Sequence, residues 1–323
     1  MLNKKAYLQI SFSWLFAIIV GAIILFLAIY FLTSFIKTGQ TERGAKASQE
    51  IGILLNPLEV GFEQGKKSML STSTETRIYT SCEISGNFGR QGISIKEKIY
   101  NQWSEFSEEI IFKNKYIFAE NPVEGRSFYL FSKPFDFPFE VASLIYLIPE
   151  NQNYCFVKPP KDIQNEIENL GFENIFMNTL TETNCKGTEV KVCFSSLDSC
   201  DISVDCDNDK CSSGITTRGG KELGFYSDSL MYATIFSKPS TYECQLKRLL
   251  KRTSILAKLY EQKLTLSSFL ICQNYISSEL SLFRNSIDVY LLDFSASSID
   301  LDTISKSAGD LYTTNRHTTC KLW

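Results

Sequence analysis

Carboxylates spaced for metal binding occur in one short segment of this sequence. Asp205, Asp207 and Asp209 alternate with other residues, and carboxylate oxygens that converge from a tight loop are good ligands for a hard cation such as Ca²⁺. The match to an EF-hand loop is partial, because Lys210 and Thr216 stand where that loop has a glycine and a glutamate. We therefore expect a solvated loop without a bound cofactor, with Ca²⁺ as the alternative.

Cysteine is the second residue type that could do chemistry, and the chain has ten cysteines. An even number of cysteines beside a single histidine is typical of an oxidising compartment. Zinc sites usually contain close pairs such as C-x-x-C, which the chain lacks, so metal binding and free thiols are the weaker alternatives. We predict disulfides, with open connectivity and one pair closing a hairpin tip at 206–211, among Cys82, Cys155, Cys185, Cys193, Cys200, Cys206, Cys211, Cys244, Cys272 and Cys320.

Signatures of catalysis are sparse. His317 is the only histidine, so a triad would have to be built around that one residue. The sequence contains no G-x-S-x-G elbow, P-loop or G-x-G-x-x-G motif. A serine activated by lysine or a pair of carboxylates remains an open possibility, because sequence spacing does not report distance in space.

A basic segment occurs late in the chain, where Lys247, Arg248, Lys251 and Arg252 flank two leucines. The ordinary interpretation is a solvated helix face, and the alternative is contact with anionic lipid headgroups or an acidic partner. The net charge of −3 does not favour nucleic acid, which requires a basic surface.

The longest apolar segment runs from Ala6 to Ile36 without a charged residue. A helix of ~20 residues already crosses the ~30 Å hydrocarbon layer. A cleaved secretory signal has an apolar region of only ~7–15 residues, and a buried core helix normally shows a polar stripe. We therefore predict one uncleaved transmembrane helix.

This helix organises the rest of the chain. We predict a cytoplasmic tip at 1–5, the transmembrane helix at 6–36, a helical stalk and linker at 37–76 with a polar loop at 68–76, and an extracytoplasmic α+β domain at 77–323. Basic residues on the two sides of the helix nearly balance, so the positive-inside rule does not decide the orientation. The cysteines place the domain outside and the N-terminus in the cytoplasm.

Within the domain, strands come first and helices last. The aromatic residues between 103 and 139 favour the core of a β-sheet over an aromatic ligand groove. Phe131-Ser-Lys-Pro134 is echoed by Phe236-Ser-Lys-Pro239, and we interpret both as turns or helix starts with proline at the first helical position. The remaining predicted elements are a helix at 162–170, strands at 190–194 and 202–204, and helices at 241–264, 266–284 and 298–313.

The N-terminus carries a family resemblance. Lys4-Lys5-Ala6-Tyr7-Leu8-Gln9 followed by Ile10-Ser11-Phe12-Ser13-Trp14 resembles the start of archaeal type IV pilin-like proteins, in which basic residues and a glutamine precede the hydrophobic helix. The resemblance covers about the first fifty residues and implies an assembly-competent helix with a protruding globular head. The later chain, including Phe131-Ser-Lys-Pro-Phe135 and Tyr242-Glu-Cys244, is similar to archaeal membrane-anchored proteins, which implies a location and no activity.

These observations lead to a functional expectation. We expect a non-enzymatic protein of the cell membrane, single-pass, whose partners are the lipid bilayer and other envelope or pilus-type proteins, and whose role is that of a minor pilin-like or envelope-assembly component. The alternatives are a membrane-tethered hydrolase, which would need a cleft with converging reactive side chains, and a ligand-sensing ectodomain, which would need an aromatic-lined pocket.

Overall fold

The computed structural model describes residues 12–55, 67–178, 185–194, 200–266, 270–294, 298–317 and 321–323. The first described element is the helix α1, Phe12–Leu55, which continues without a break from the apolar segment into the predicted stalk. A β-rich region with four disulfides follows, and helices come last, so the predicted α+β class is confirmed.

The first sheet has seven strands in the order β3-β2-β1-β6-β7-β5, with β4 paired to β2. Its strands are β1 Lys67–Glu83, β2 Arg90–Ile99, β3 Gln102–Trp103, β4 Ile110–Phe112, β5 Tyr116–Ala119, β6 Val123–Asp136 and β7 Glu140–Pro149. Most neighbouring pairs are antiparallel, and β5 runs parallel to β7.

Two sequence-based expectations for this sheet are wrong. The loop predicted at 68–76 is part of β1, which pairs with β6 on both sides of a bulge formed by 72–75. Pro134 lies inside β6 opposite Ser143, instead of starting a helix. In both cases pairing with a distant strand overrides the local turn signal.

The first sheet curls so that its two ends face each other. Gln91 on β2 is fully buried, and its amide nitrogen donates to the carbonyl of Ile117 on β5 at 2.9 Å. The amide oxygen of Gln91 accepts from the backbone nitrogen of Ile117 at 2.8 Å. The Gln91 side chain thus takes the place of a pair of backbone hydrogen bonds between β2 and β5, which are not adjacent in the sheet. The curled sheet encloses a small apolar cluster that includes Leu70, Ile78, Ile93, Phe128, Ile145 and Leu147.

The second sheet has six strands in the order β13-β12-β11-β10-β8-β9. Its elements in chain order are β8 Tyr154–Val157, the helix α2 Lys161–Leu170, β9 Ile175–Asn178, β10 Val190–Cys193, β11 Ile202–Cys206, β12 Ser213–Arg218 and β13 Lys221–Tyr226. The predicted strands near 190 and 202 are confirmed. The predicted helix at 162–170 is also confirmed, and Gly171 ends it at φ 55°, a left-handed conformation that glycine adopts without strain.

Four helices complete the chain, namely α3 Asp228–Phe236, α4 Pro239–Leu264, α5 Leu270–Leu292 and α6 Ser298–His317. Every residue from Ser229 to Phe236 is buried, because α3 contacts strands of both sheets. Pro239 occupies the start of α4 as predicted. Sequence patterns missed α3, since a helix that is buried all round lacks an amphipathic period.

Aromatic side chains fill the space around α3. Phe131 on β6 stacks on Tyr146 of β7 with ring centroids 4.4 Å apart, and it meets Phe236 of α3 edge to face at 5.9 Å. Phe137 and Phe139 are also buried in this cluster and contact the C-terminal helices. The expected aromatic core is therefore confirmed for the rings between 116 and 139, which pack against each other instead of lining a groove, whereas Phe106 is half-exposed.

Candidate functional site

The apolar half of α1 is the first candidate. Phe12–Ser34 is the one described helix long and apolar enough to cross a membrane, and none of this window is buried by the rest of the chain. Its large side chains are uncovered, for example Phe12 at 83 % exposure and Phe26 at 69 %. Such a contiguous apolar surface is covered in an assembled system by lipid or by another protein.

The disulfides form the second feature. The structure pairs Cys82 with Cys244, Cys155 with Cys185, Cys193 with Cys200, and Cys206 with Cys211. Disulfide formation is thereby confirmed for eight of the predicted cysteines. The side chain of Cys272 and the whole of Cys320 lie outside the described residues. The first pair joins β1 to α4, and the other three brace the second sheet.

The basic segment of α4 differs from the expected solvated face. Arg248 is completely buried, and its guanidinium donates to the carbonyl of Lys115 at 3.0 Å and to those of Phe88 and Lys113 at 3.2 Å each. It also donates to the side-chain oxygen of Gln245 at 2.6 Å and lies 4.7 Å from the ring of Tyr116. Burial lowers the pKa of Arg248 below its ordinary value, and these acceptors replace its water.

Lys251, one turn further along α4, extends the same junction. Its ammonium group donates to the carbonyls of Gly86 at 2.7 Å and Ile84 at 3.2 Å, in the turn between β1 and β2. The solvated-face prediction is therefore wrong for Arg248, and both side chains clamp the turn onto the helix. The signal for this role is the spacing of Thr241, Gln245 and Arg248, which form a polar buried stripe beside the apolar one.

A second charged cluster lies where α2, α3 and β6 meet. The ammonium group of Lys133 donates to Glu166 at 2.5 Å and to Asp228 at 2.6 Å, and the hydroxyl of Tyr232 donates to Glu166 at 2.9 Å. Ser229 directly follows Asp228 on α3, so the region contains the residue types that a serine and lysine hydrolase would use. Two carboxylates already accept from this ammonium group, however, so this cluster fits a structural role better than a catalytic one.

The three aspartates of the predicted loop are exposed on the hairpin that the 206–211 disulfide closes. The side-chain oxygen of Asn208 accepts from the backbone nitrogens of Lys210 at 3.1 Å and Ser212 at 3.2 Å, which stabilises this tip. The loop is ordered by these bonds and by the disulfide, and the structure does not gather Asp205, Asp207 and Asp209 into one ligand set.

In the described part of the chain, the only group of three ligand-type side chains within 4.8 Å of one another is Cys155, Cys185 and Glu189. Its two sulfurs form a disulfide and offer no thiolate to a metal. His317 lies exposed in the last turn of α6.

No family model matches the chain, and no curated protein or solved structure matches it.

Proposed function

We propose that this protein is a non-enzymatic, single-pass component of the cell envelope, with α1 as its anchor and the disulfide-braced α+β region as an extracytoplasmic head. The observation that carries the proposal is the apolar half of α1, whose side chains no other part of the described chain covers. Burial of such side chains contributes ~25 cal/mol per Å² of apolar surface, which favours insertion into a bilayer or a bundle of helices.

Two further features support the proposal, one in the anchor and one in the head. Trp14 and Tyr30 stand near the ends of the apolar segment, and sixteen helical residues at ~1.5 Å each separate them by roughly 24 Å. Aromatic rings of this kind prefer the two interfaces of a hydrocarbon layer ~30 Å thick. The four disulfides support an oxidising surrounding for the head.

The shape of α1 also supports a role in assembly. It is a single helix of 44 residues in which an apolar half continues into a polar half, and the head follows it. A helix of this length extends ~66 Å at ~1.5 Å per residue, so part of it lies beyond one bilayer thickness. The pilin-like resemblance of the N-terminus implies an assembly-competent helix with a protruding globular head, which is the role we assign to α1.

Thiol labelling of intact cells tests the orientation. A membrane-impermeant maleimide should label the eight paired cysteines only after reduction, because the head is outside and these cysteines form disulfides. The matched control is the C206S/C211S double variant, which should lose two of the labels that reduction exposes. Labelling that requires lysis but not reduction would place the head in the cytoplasm and overturn the proposal.

N-terminal sequencing of membrane-extracted protein tests the pilin-like part separately. A mature chain that begins near Gln9 supports processing and assembly. An intact Met1 or Leu2 would reduce α1 to a plain anchor and would leave the orientation result unaffected.

A further inference from the structure

A polar cleft lies between the bulge of β1 and the turn that connects β2 to β3. It has a volume of about 480 Å³ and is lined by Ser73, Thr74, Glu75, Lys98, Tyr100, Asn101 and Arg126. The bulge creates this cleft, because four residues of β1 between Ser71 and Thr76 oppose only Arg126 of β6.

Two further clefts adjoin it through shared lining residues. The second cleft, about 440 Å³, shares Glu75 and Arg126 with the first and reaches Asn151. The third, about 460 Å³, shares Asn151 with the second and ends at Arg218 and Lys238 near the second sheet. We call the three together the polar groove. A row of three adjoining clefts suits an extended chain better than a compact small molecule.

The charges of the polar groove are largely balanced from within. Lys98 pairs with Glu75 at 2.7 Å, and Arg218 pairs with Glu120. The hydrogen bond from Lys98 holds the pKa of Glu75 below its ordinary value. Since neither sign of charge is in excess along these walls, the polar groove favours a neutral ligand over a polyanion or a polycation.

Other polar groups of the groove have unused hydrogen-bonding capacity. The side chains of Asn101, Arg126 and Asn151 are exposed and form no hydrogen bond or ion pair within the described part of the chain. Together they offer amide and guanidinium groups, which can both donate to and accept from a ligand rich in hydroxyls.

Tyr100 adds an aromatic surface at one end. Its side chain is 99 % exposed, and it stands at φ 49° beside Asn101 at φ 62° in the two-residue turn between β2 and β3. Glycine is the residue that such positions ordinarily favour, and a bulky residue there stores strain. Strained residues of this kind cluster at ligand contacts.

We propose that the polar groove binds a neutral oligosaccharide, with one sugar ring stacked on Tyr100 and its hydroxyls bonded to Asn101, Arg126 and Asn151. Sugars combine apolar C–H faces with many uncharged hydroxyls, which matches an aromatic ring followed by unpaired polar side chains. A peptide would require apolar pockets or an unpaired strand edge, and the first two clefts of the polar groove are lined mainly by polar side chains. This site does not depend on the membrane proposal.

Calorimetric titration of the full chain tests the proposal, in a detergent without a sugar headgroup. The probes are four neutral hexasaccharides, namely cellohexaose, chitohexaose, mannohexaose and maltohexaose. We expect at least one to bind, and Tyr100→Ala to weaken that binding about threefold to tenfold. Arg126→Ala should weaken it by a similar factor. The matched control is Tyr312→Ala, which removes a half-exposed tyrosine of α6 outside the groove and should leave binding unchanged.

Four results would overturn the proposal. One is no saturable binding of any of the four sugars up to about 10 mM. Another is binding of a sulfated hexasaccharide alone, which would indicate a polyanion site. A third is equal or tighter binding of a glycine and serine hexapeptide, which would indicate a peptide groove. The last is sugar binding that both groove variants leave intact, which would place the site elsewhere.

Discussion

Arg248 illustrates how a charged residue becomes part of a protein interior. A guanidinium without water is costly unless acceptors surround it, and here three backbone carbonyls and one side-chain amide do so. The carbonyls belong to the turn between β1 and β2 and to the segment after β4, which are separated from Arg248 by more than a hundred residues in sequence. The residue therefore joins α4 to the first sheet.

Replacement of this guanidinium should strongly destabilise the folded protein. We expect Arg248→Met to lower the free energy of unfolding by about 3 kcal/mol or more, because it leaves buried carbonyls without a donor. The control is Lys258→Met on an exposed position of α4, which should change stability by less than about 0.5 kcal/mol. Chemical denaturation of the two variants measures the difference, and equal effects would contradict the structural role of Arg248.

Three tyrosines in the central core have perturbed ionisation. Burial raises the pKa of Tyr146, Tyr232 and Tyr242 well above the ordinary value of 10.0, and the carboxylates of Asp228 and Glu166 raise the pKa of Tyr146 and Tyr232 further. Their hydroxyls donate to the carbonyls of Ser229 and Gly224 and to Glu166. Only the neutral phenol can make these bonds, so deprotonation opposes folding.

An alkaline limit to stability follows from these tyrosines. Each folded pKa is raised, so stability is fully present below the unfolded value of about 10 and is lost as pH rises towards the folded value. We expect the free energy of unfolding to fall above pH 10 by about 1.4 kcal/mol per pH unit for each tyrosine. Urea titrations between about pH 8 and pH 11 measure the slope, and Tyr146→Phe should reduce it by one tyrosine's share. A flat profile would contradict the interpretation.

At the scale of elements, the turn between β1 and β2 has two glycines with different demands. Gly86 at φ 71° has open space where a Cβ would stand. At Gly89, with φ 60°, a Cβ would lie 2.4 Å from the carbonyl oxygen of Glu83 and 2.9 Å from the side chain of Arg248. The second glycine is therefore required by the close approach of α4 as well as by its backbone conformation.

The two glycines form a matched pair for mutation. We expect Gly86→Ala to cost about 1 kcal/mol, the penalty for a left-handed conformation alone. Gly89→Ala should cost at least about 2 kcal/mol more, because the methyl group displaces the helix or the turn. Thermal unfolding of both variants distinguishes these values, and a similar loss in each would show that α4 does not constrain Gly89.

At the scale of the whole molecule, the Cys82–Cys244 disulfide connects the first sheet to α4 across 162 residues, whereas Cys206–Cys211 spans only 5. A cross-link that closes a longer loop removes more entropy from the unfolded chain. The long connection coincides with the Arg248 junction, so the covalent and polar links act on the same interface.

Removal of each disulfide should reveal this difference. Chain entropy predicts a loss of about 5 kcal/mol for the C82S/C244S variant and about 2 kcal/mol for C206S/C211S. Denaturation under non-reducing conditions provides the comparison. A larger loss for the short hairpin pair would contradict the idea that the long link holds the sheet and helix together.

Features that depend on local composition were predictable from the sequence. The apolar segment within α1, the tendency of the cysteines to pair, the helix α2 and the strands near 190 and 202 all follow from length, periodicity or residue type in one window. These signals are strong because the physical cause, burial on one face or in lipid, acts on neighbouring residues together.

Tertiary structure alone decided the features that depend on distant partners. The sequence predicts turns at the threonine-rich start of β1 and at Pro134. In the structure, β1 pairs with β6, and Pro134 pairs with β7. The sequence predicts Arg248 to be a surface cation, but carbonyls more than a hundred residues away surround it in the structure. The polar groove depends on three separate clefts that the fold places side by side. A sequence window reports the preferences of a residue, whereas burial and pairing are set by which distant segments the fold brings to it.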